Sequence, residues 1–233
     1  MAGSSKSDHP GGEGAGKSFD VVPLFPLPNV VLLPHAVLPL HIFEERYQAM
    51  TAAALKGRGQ IAMALLEPGW ERDYYARPGI EPVVCLGQIL SHEQLPDGKY
   101  NFLLKGIARA QVVREHRSSP YRTADLRPIT ETAVSELDLS DLRRKLTLFF
   151  KEQLSRLPPV VGQFLTLLDG PLRTEAIADM AAFHLLDDVP LKQAILSQGD
   201  VYHRVRQTVD AIERLYPSAG LEKLRYPDDP RAN

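Results

Sequence analysis

Apolar residues dominate Val21 to Met50, VVPLFPLPNVVLLPHAVLPLHIFEERYQAM, yet Pro23, Pro26, Pro28, Pro34 and Pro39 interrupt the stretch too often for a helix in its earlier part. The short apolar runs Val30 to Leu33 and Val37 to Ile42 predict strands, and each proline removes a ladder donor, which favours sheet edges, bends or strand starts. From Phe43 the period changes. Phe43, Tyr47, Met50 and Ala54 recur at helical spacing until Lys56, Gly57 and Gly59 stop the run. The stretch reads strand, strand, helix, and the rest of the chain is organised around it.

Gln60 to Leu66 fits a short buried strand ended by Pro68 and Gly69. Glu81 to Leu90 and Tyr100 to Lys105 flank the turn signal Pro96, Asp97, Gly98 and predict an antiparallel pair. Tyr100, Phe102 and Leu104 share one face. Gly106 marks a bulge or turn before Ala108, Ala110 and Val112 continue the alternation, and Tyr121 to Arg127 supplies one more strand. Roughly six or seven short strands with one helix predict a small bent barrel.

Between Gly69 and the pair Pro78, Gly79 stand Trp70, Tyr74 and Tyr75. Their rings either fold back over the barrel end or act as adaptable contacts for a partner.

Beyond Glu131 the period is helical. Thr130 to Leu139 reads as a linker, and Ser140 is placed to cap a helix with the stripe Leu142, Leu146, Phe149, Phe150, Leu154 and Leu157. Val161, Phe164, Leu165 and Leu168 predict a shorter helix, and Ile177, Met180, Ala181, His184 and Leu185 a third. Pro190 suits the first turn of a brief fourth, and Asp200 caps a last one carrying Val201, Val205, Val209, Ile212 and Tyr216. The expected class is α+β, with a disordered tail over 1–18, a β domain over 19–129, a linker over 130–139, a helical bundle over 140–217 and a flexible tail over 218–233.

The run PLFPLPNVVLLPHAVLPLHIFEERYQAM resembles the opening of the Lon protease amino-terminal (LON substrate-binding) domain family. The resemblance continues through GQIAMALLEPG (Gly59 to Gly69), LPDGKYNFLLKGIARAQV (Leu95 to Val112) and PLKQAILSQGD (Pro190 to Asp200). It implies that the β domain is PUA-like, a bent β barrel with one helix, followed by the helical bundle. His35 departs from the family, which more often has a small or glycine-like residue after the proline. Family resemblance does not itself assign an activity.

Lon proteases carry an ATPase module and a serine–lysine protease module further along the chain, and the seventeen residues after Tyr216 are too few for either. The resemblance therefore implies a stand-alone, non-catalytic module that binds unfolded or exposed polypeptide segments, an adaptor in protein quality control that acts with a protease or chaperone. Phe43, Tyr47, Trp70, Tyr74 and Tyr75 are the candidate peptide contacts, at a sheet edge or in the groove between the two halves. No catalytic residue, cofactor or metal is expected.

Composition changes the picture little. A hydrophobic fraction of 44% over 233 residues is ordinary for a soluble globular chain. A formal charge of −2, from 27 basic and 29 acidic side chains, offers no global field for nucleic acid or an anionic membrane. No run approaches the ~18–20 apolar residues of a bilayer span, and the first twenty residues lack the apolar segment of a secretory signal, so the expected location is cytoplasmic. Cys85, the sole cysteine, sits in an apolar strand pattern and reads as packing.

Other motifs weigh against chemistry. Gly11 to Ser18 matches the phosphate-loop formula but lacks the preceding strand and following helix that converge N–H groups on phosphate. His41 with Glu44 and Glu45 lacks the companion histidine of a zinc-protease helix, and His184, on the apolar face of its helix, reads as a hydrogen-bonded core histidine. There is no nucleophile elbow, so a remnant hydrolase has only the family association behind it. Arg143, Arg144 and Lys145 read as a solvated helix face.

The alternative function is RNA or nucleotide binding by the PUA-like fold through Arg109, Arg114, Arg117 and Arg122. Interleaved Glu115, Asp125 and Glu131 break the basic stripe it needs.

Overall fold

The computed structural model describes residues 18–73, 77–117, 120–153 and 170–216. The expected tails apart from Ser18, the phosphate-loop-like run up to Lys17, Tyr74 and Tyr75, Leu154 and Leu157, and the short helix around Val161 to Leu168 lie outside these residues.

Six strands form one mixed sheet: β1 (Phe19–Leu27), β2 (Val37–Ile42), β3 (Gln60–Leu65), β4 (Val83–Gln94), β5 (Tyr100–His116) and β6 (Arg122–Pro128). Their order is β2-β5-β4-β3-β1-β6, and β6 also pairs with β5, so the ladder returns to a strand it has already used. Only β1 and β3 run parallel. The hairpin expected at Pro96 to Gly98 joins β4 to β5, with Gly98 at φ 85°. β5 is longer than expected because it serves three neighbours in turn. Tyr100 to Lys105 pair with β2, Tyr100 to Gln111 with β4, and Ala110 to His116 with β6.

The bulge expected at Gly106 is present. Leu86 faces Ala108 while Gly87 faces Gly106, leaving Ile107 as the extra residue. Gly106 is required by close approach, since a Cβ there would lie 2.2 Å from the Leu33 carbonyl oxygen.

One expectation for the proline-rich opening is corrected. Val30 to Leu33 is not a strand, because it has no ladder partner; it is an extended segment whose Val31, Leu32 and Leu33 are buried. Pro39 lies on β2, an edge strand that pairs with β5 alone, whereas the prolines of β1 lie in a strand with neighbours on both sides. The strand exchanges partners at Leu24: Val22 to Leu24 face β6, whereas Leu24 to Leu27 face β3. Pro23 and Pro26 thus each meet a partner strand on one side only, and their missing N–H groups break no second ladder.

Alternation along the strands feeds two clusters. Val22, Leu24, Ala62, Ala64, Val84, Leu86, Ala110, Ala124 and Leu126 fill one side of the sheet. Phe25, Ile61, Met63, Cys85 and Leu104 point the other way into a larger cluster. Burial on both faces explains why β3, QIAMAL, reads as an unbroken apolar run.

Five α-helices lie among the described residues: α1 (Glu45–Lys56), α2 (Ser140–Gln153), α3 (Thr174–Leu185), α4 (Val189–Ser197) and α5 (Val201–Leu215). α1 buries Tyr47, Met50, Thr51 and Ala54. α2 starts at Ser140 itself, one residue earlier than a Ser140 cap requires, and Arg143 N–H donates to the Leu139 carbonyl at 2.8 Å. α4 carries Pro190 in its first turn, and Asp188 accepts from Leu191 N–H at 2.9 Å. Asp200 caps α5 by accepting from His203 N–H at 2.9 Å.

The larger cluster runs without a break from Leu33, Met50 and Met63 to Leu146, Phe149, Ile177, Ile195, Val205 and Ile212. The segment 130–139 is pinned as well. Thr132 bridges to Asp200, and the Glu136 carboxylate accepts from Thr174 N–H at 3.1 Å and Thr174 Oγ1 at 2.5 Å, capping α3 from outside its own chain segment. No helix among the described residues is long and apolar enough to cross a membrane.

Candidate functional site

The connection from β3 to β4 is held at its neck. Leu66 N–H donates to Leu27 O at 3.0 Å, Glu67 N–H to Gly79 O at 3.0 Å and Glu81 N–H to Leu65 O at 2.9 Å. Pro68 and Gly69, with φ 89°, then turn the chain outward into a single 3-10 turn, Trp70–Asp73. Opposite stands α4, fixed to β4 by Gln193 Nε2 donating to Val83 O at 2.9 Å. Between them lies a groove of about 520 Å³ lined chiefly by Pro28, Leu65, Leu66, Pro68, Trp70 and Pro190, with Glu81 and Gln193 among its few polar residues. An apolar trough with a half-buried indole at its rim suits an extended chain carrying large apolar side chains.

Leu66 also lines a second depression, of about 510 Å³, whose character is different. Arg46, Arg77, Arg117 and Arg122 surround it, together with Tyr47 and Tyr121. Arg122 is held by Glu115, at 2.8 Å from Nε and 2.6 Å from Nη2, and donates from Nη1 to Pro78 O at 2.7 Å. Arg46 pairs with Glu44 at 2.9 Å and lies 4.5 Å from the Tyr47 ring centroid.

The expected contact residues are divided. Trp70 is on the groove and Tyr47 on the basic depression, so Leu66 stands between them. Tyr47 is 6% exposed and its ring packs 4.5 Å from that of Phe25. Phe43 is 62% exposed and belongs to neither hollow; it follows β2, the strand with a single partner, and stacks with His41 at 6.2 Å.

Several other side chains have structural settings. Cys85 is fully buried, and burial pushes its thiol far above the usual range. His41 Nδ1 lies 2.7 Å from Asn101 Oδ1, and no cluster of metal-ligating side chains occurs among the described residues. His184 is not a core histidine. The inner face of α3 is spent on Ile177, Ala178, Ala181 and Ala182, and at its last turn His184 is exposed, edge-on to Phe183 at 4.9 Å.

Nor are Arg143 and Lys145 simply solvated. Arg143 donates to Leu172 O at 2.7 Å and Gly170 O at 3.2 Å, and Lys145 pairs with Glu213 at 2.8 Å, tying α2 to its neighbours; Arg144 is exposed beside Asp141.

Of the arginines considered for RNA, Arg109 is enclosed and Arg114 pairs with Asp125 at 2.9 Å. Arg109 belongs to a cluster that sequence reasoning missed, in which Arg109, Asp179 and Arg204 are buried and Glu131 is exposed. It reaches Asp179 at 2.5 Å and Glu131 at 2.9 Å, while Arg204 reaches Glu131 at 3.0 Å and Asp179 at 3.3 Å. The two arginines balance the two carboxylates at the junction of β5 and the helices. The available signal was a single Asp inside the apolar run of α3 and an Arg at stripe spacing on α5, since charges so placed need buried partners.

The model of the ATP-dependent protease La (LON) substrate-binding domain matches residues 21–214. The chain is 24% identical over 192 residues to Lon protease of Desulfosudis oleivorans, covering 81% of this chain and 23% of that protein. It is 25% identical over 208 residues to Lon protease of Escherichia coli, covering 87% and 26%. The chain thus spans about a quarter of the length of these relatives. In fold it is similar to the N-terminal domain of Mycobacterium avium complex Lon protease, with a TM-score of 0.64 at 18% identity, covering 84% of this chain and 98% of that one. A Lon N-terminal domain protein from Xanthomonas campestris gives a TM-score of 0.57 at 20% identity, covering 82% and 98%.

Proposed function

The chain belongs to the ATP-dependent protease La (LON) substrate-binding domain family, and on that premise we propose that it is a non-catalytic module that binds unfolded or exposed polypeptide. The observation that carries this reading is the apolar groove between the Trp70 turn and α4, whose proline-rich and aromatic lining suits an extended segment. Trp70 is its principal contact, with Tyr74 and Tyr75 next along the same connection. Tyr47 contributes from beyond Leu66, and Phe43 offers a separate exposed ring at the β2 edge.

The sheet that returns on itself through β5 and β6 is in this reading the PUA-like barrel, spanning 19–129, with 140–217 as the helical unit that completes the groove. The module works in the cytoplasm as an adaptor that delivers its cargo to a protease or chaperone, and any bond cleavage belongs to that other protein.

Titration of the purified protein with a reduced, alkylated unfolded protein tests the reading. Saturable binding is expected, and Trp70→Ala weakens it about tenfold, as for loss of an aromatic anchor. No saturable binding, or binding indifferent to Trp70, overturns it. Peptide turnover by the pure protein overturns the non-catalytic part.

A further inference from the structure

The depression across Leu66 from the groove is not explained by apolar recognition. Four guanidinium groups surround it, and among the described residues two carboxylates answer them, Glu44 on Arg46 and Glu115 on Arg122. Arg77 uses one nitrogen on a neutral acceptor, the His116 carbonyl, at 2.9 Å. Among the described residues no carboxylate stands within ion-pair distance of Arg77 or Arg117, and both side chains are exposed. A chain with a formal charge of −2 thus gathers, among the described residues, four guanidinium groups and two carboxylates at one concave site.

The site is also built. Arg122, 9% exposed, is fixed through three donors, and Arg46 is braced on the Tyr47 ring, so their planar groups are oriented before any ligand arrives. Pro26, Pro78 and Pro120 stiffen the rim. An exposed duplex or single strand of nucleic acid needs a continuous basic track, whereas this charge is confined to a hollow bordered by Glu44 and Glu115.

We propose that this hollow binds carboxylate groups of the same polypeptide whose apolar residues occupy the Trp70 groove, so that the preferred cargo carries acidic residues beside an apolar cluster. The inference rests on the polypeptide-binding reading and adds the charge of the cargo. Leu66, 4% exposed, lines both hollows and places them side by side. The carboxylate comes from an acidic side chain or from a chain terminus, and both present the same planar pair of oxygens to a guanidinium.

The test is fluorescence anisotropy with three labelled peptides that share one apolar cluster: one with an amidated C-terminus and no acids, one with an amidated C-terminus and two glutamates beside the cluster, and one without glutamates but with a free terminal carboxylate. The intact protein is expected to bind an acidic peptide about tenfold more tightly than the neutral one, the size of one charge-assisted contact. Which of the two gains identifies the source of the carboxylate.

In the variant Arg77→Gln with Arg117→Gln the acidic-to-neutral ratio is expected to fall to about one, and raised salt lowers it in the intact protein. Equal affinity for all three peptides, a ratio that survives the double substitution, or an oligouridylate that displaces the acidic peptide at lower concentration than unlabelled peptide overturns the inference and leaves polypeptide binding standing. Binding of none of the peptides overturns the polypeptide reading, and this inference with it.

Discussion

Arg109 Nη2 lies 2.5 Å from Asp179 Oδ1, and both side chains are shut away from solvent. One sits on β5 and the other on α3, so the contact bolts the sheet to the helices at the point where the larger apolar cluster passes between them. Burying an ion pair is rarely a net gain, but removing one partner strands the other charge in the interior. Asp179→Ala leaves both Arg109 and Arg204 without their buried carboxylate, with only the exposed Glu131 still in reach among the described residues, and a loss of about 3–5 kcal/mol is expected. Urea denaturation measures it, with a fall in the midpoint. An unchanged midpoint would mean that Glu131 alone satisfies both arginines.

His35 occupies the left-handed region at φ 68°, where its N–H donates to the Gly106 carbonyl at 2.8 Å and sets the entry into β2. A side chain carries a steric cost of about 1–2 kcal/mol in that conformation. Glycine removes the strain and adds freedom to the unfolded chain. His35→Gly is therefore expected to leave thermal stability equal to or above that of the parent protein, by up to about 1 kcal/mol. A clear drop in Tm would show that the imidazole contributes more than the strained turn costs.

Gly106 answers to space rather than to φ. Gly106→Ala drives a methyl group into the Leu33 carbonyl, which cannot retreat because Leu32 and Leu33 are buried. A loss of about 1–3 kcal/mol is expected, as for overpacking elsewhere. Differential scanning calorimetry reads it, and an unchanged Tm would mean that the strand gives way at the neighbouring bulge.

Asp125 links acid stability to the β5–β6 pairing. Hydrogen bonds from His116, Val21 N–H and Arg114 bring its carboxyl down to about 2. Because the folded value lies below the unfolded one, the stabilisation is complete above the ordinary carboxylate range and is lost as pH falls through it toward 2. Glu136 acts in the same direction: burial raises it, but the bonds from Thr174 and the charges of Arg143 and Arg173 outweigh that and hold it low. Melting temperatures taken between pH 6 and 2, about the span set by carboxylate titration, should fall less steeply for Asp125→Asn than for the parent. Parallel curves would remove Asp125 as a contributor.

Much of the architecture was legible because its causes are local. The helical spacing from Tyr47 to Ala54, the turn at Pro96 to Gly98 and the Asp200 cap each rest on residues within a few positions of one another. What could not be read depends on partners distant in sequence. Val30 to Leu33 has strand-like composition but no neighbour to pair with, and Pro23 and Pro26 are tolerated inside the sheet only because β1 changes partner at Leu24. The buried pairing of Arg109 and Asp179 spans seventy residues, and nothing in the local pattern of either one names the other. At the candidate site Trp70 was visible as an aromatic in a loop. The wall opposite it is α4, and the arginines that meet beside Tyr47 come from four separate places in the chain.

Leu66 is the residue common to both hollows. On the proposed reading, a guest lying across the two would carry greasy and anionic groups a set interval apart, and the spacing of the hollows about that residue would be the ruler that fixes how far apart the two kinds of letter stand.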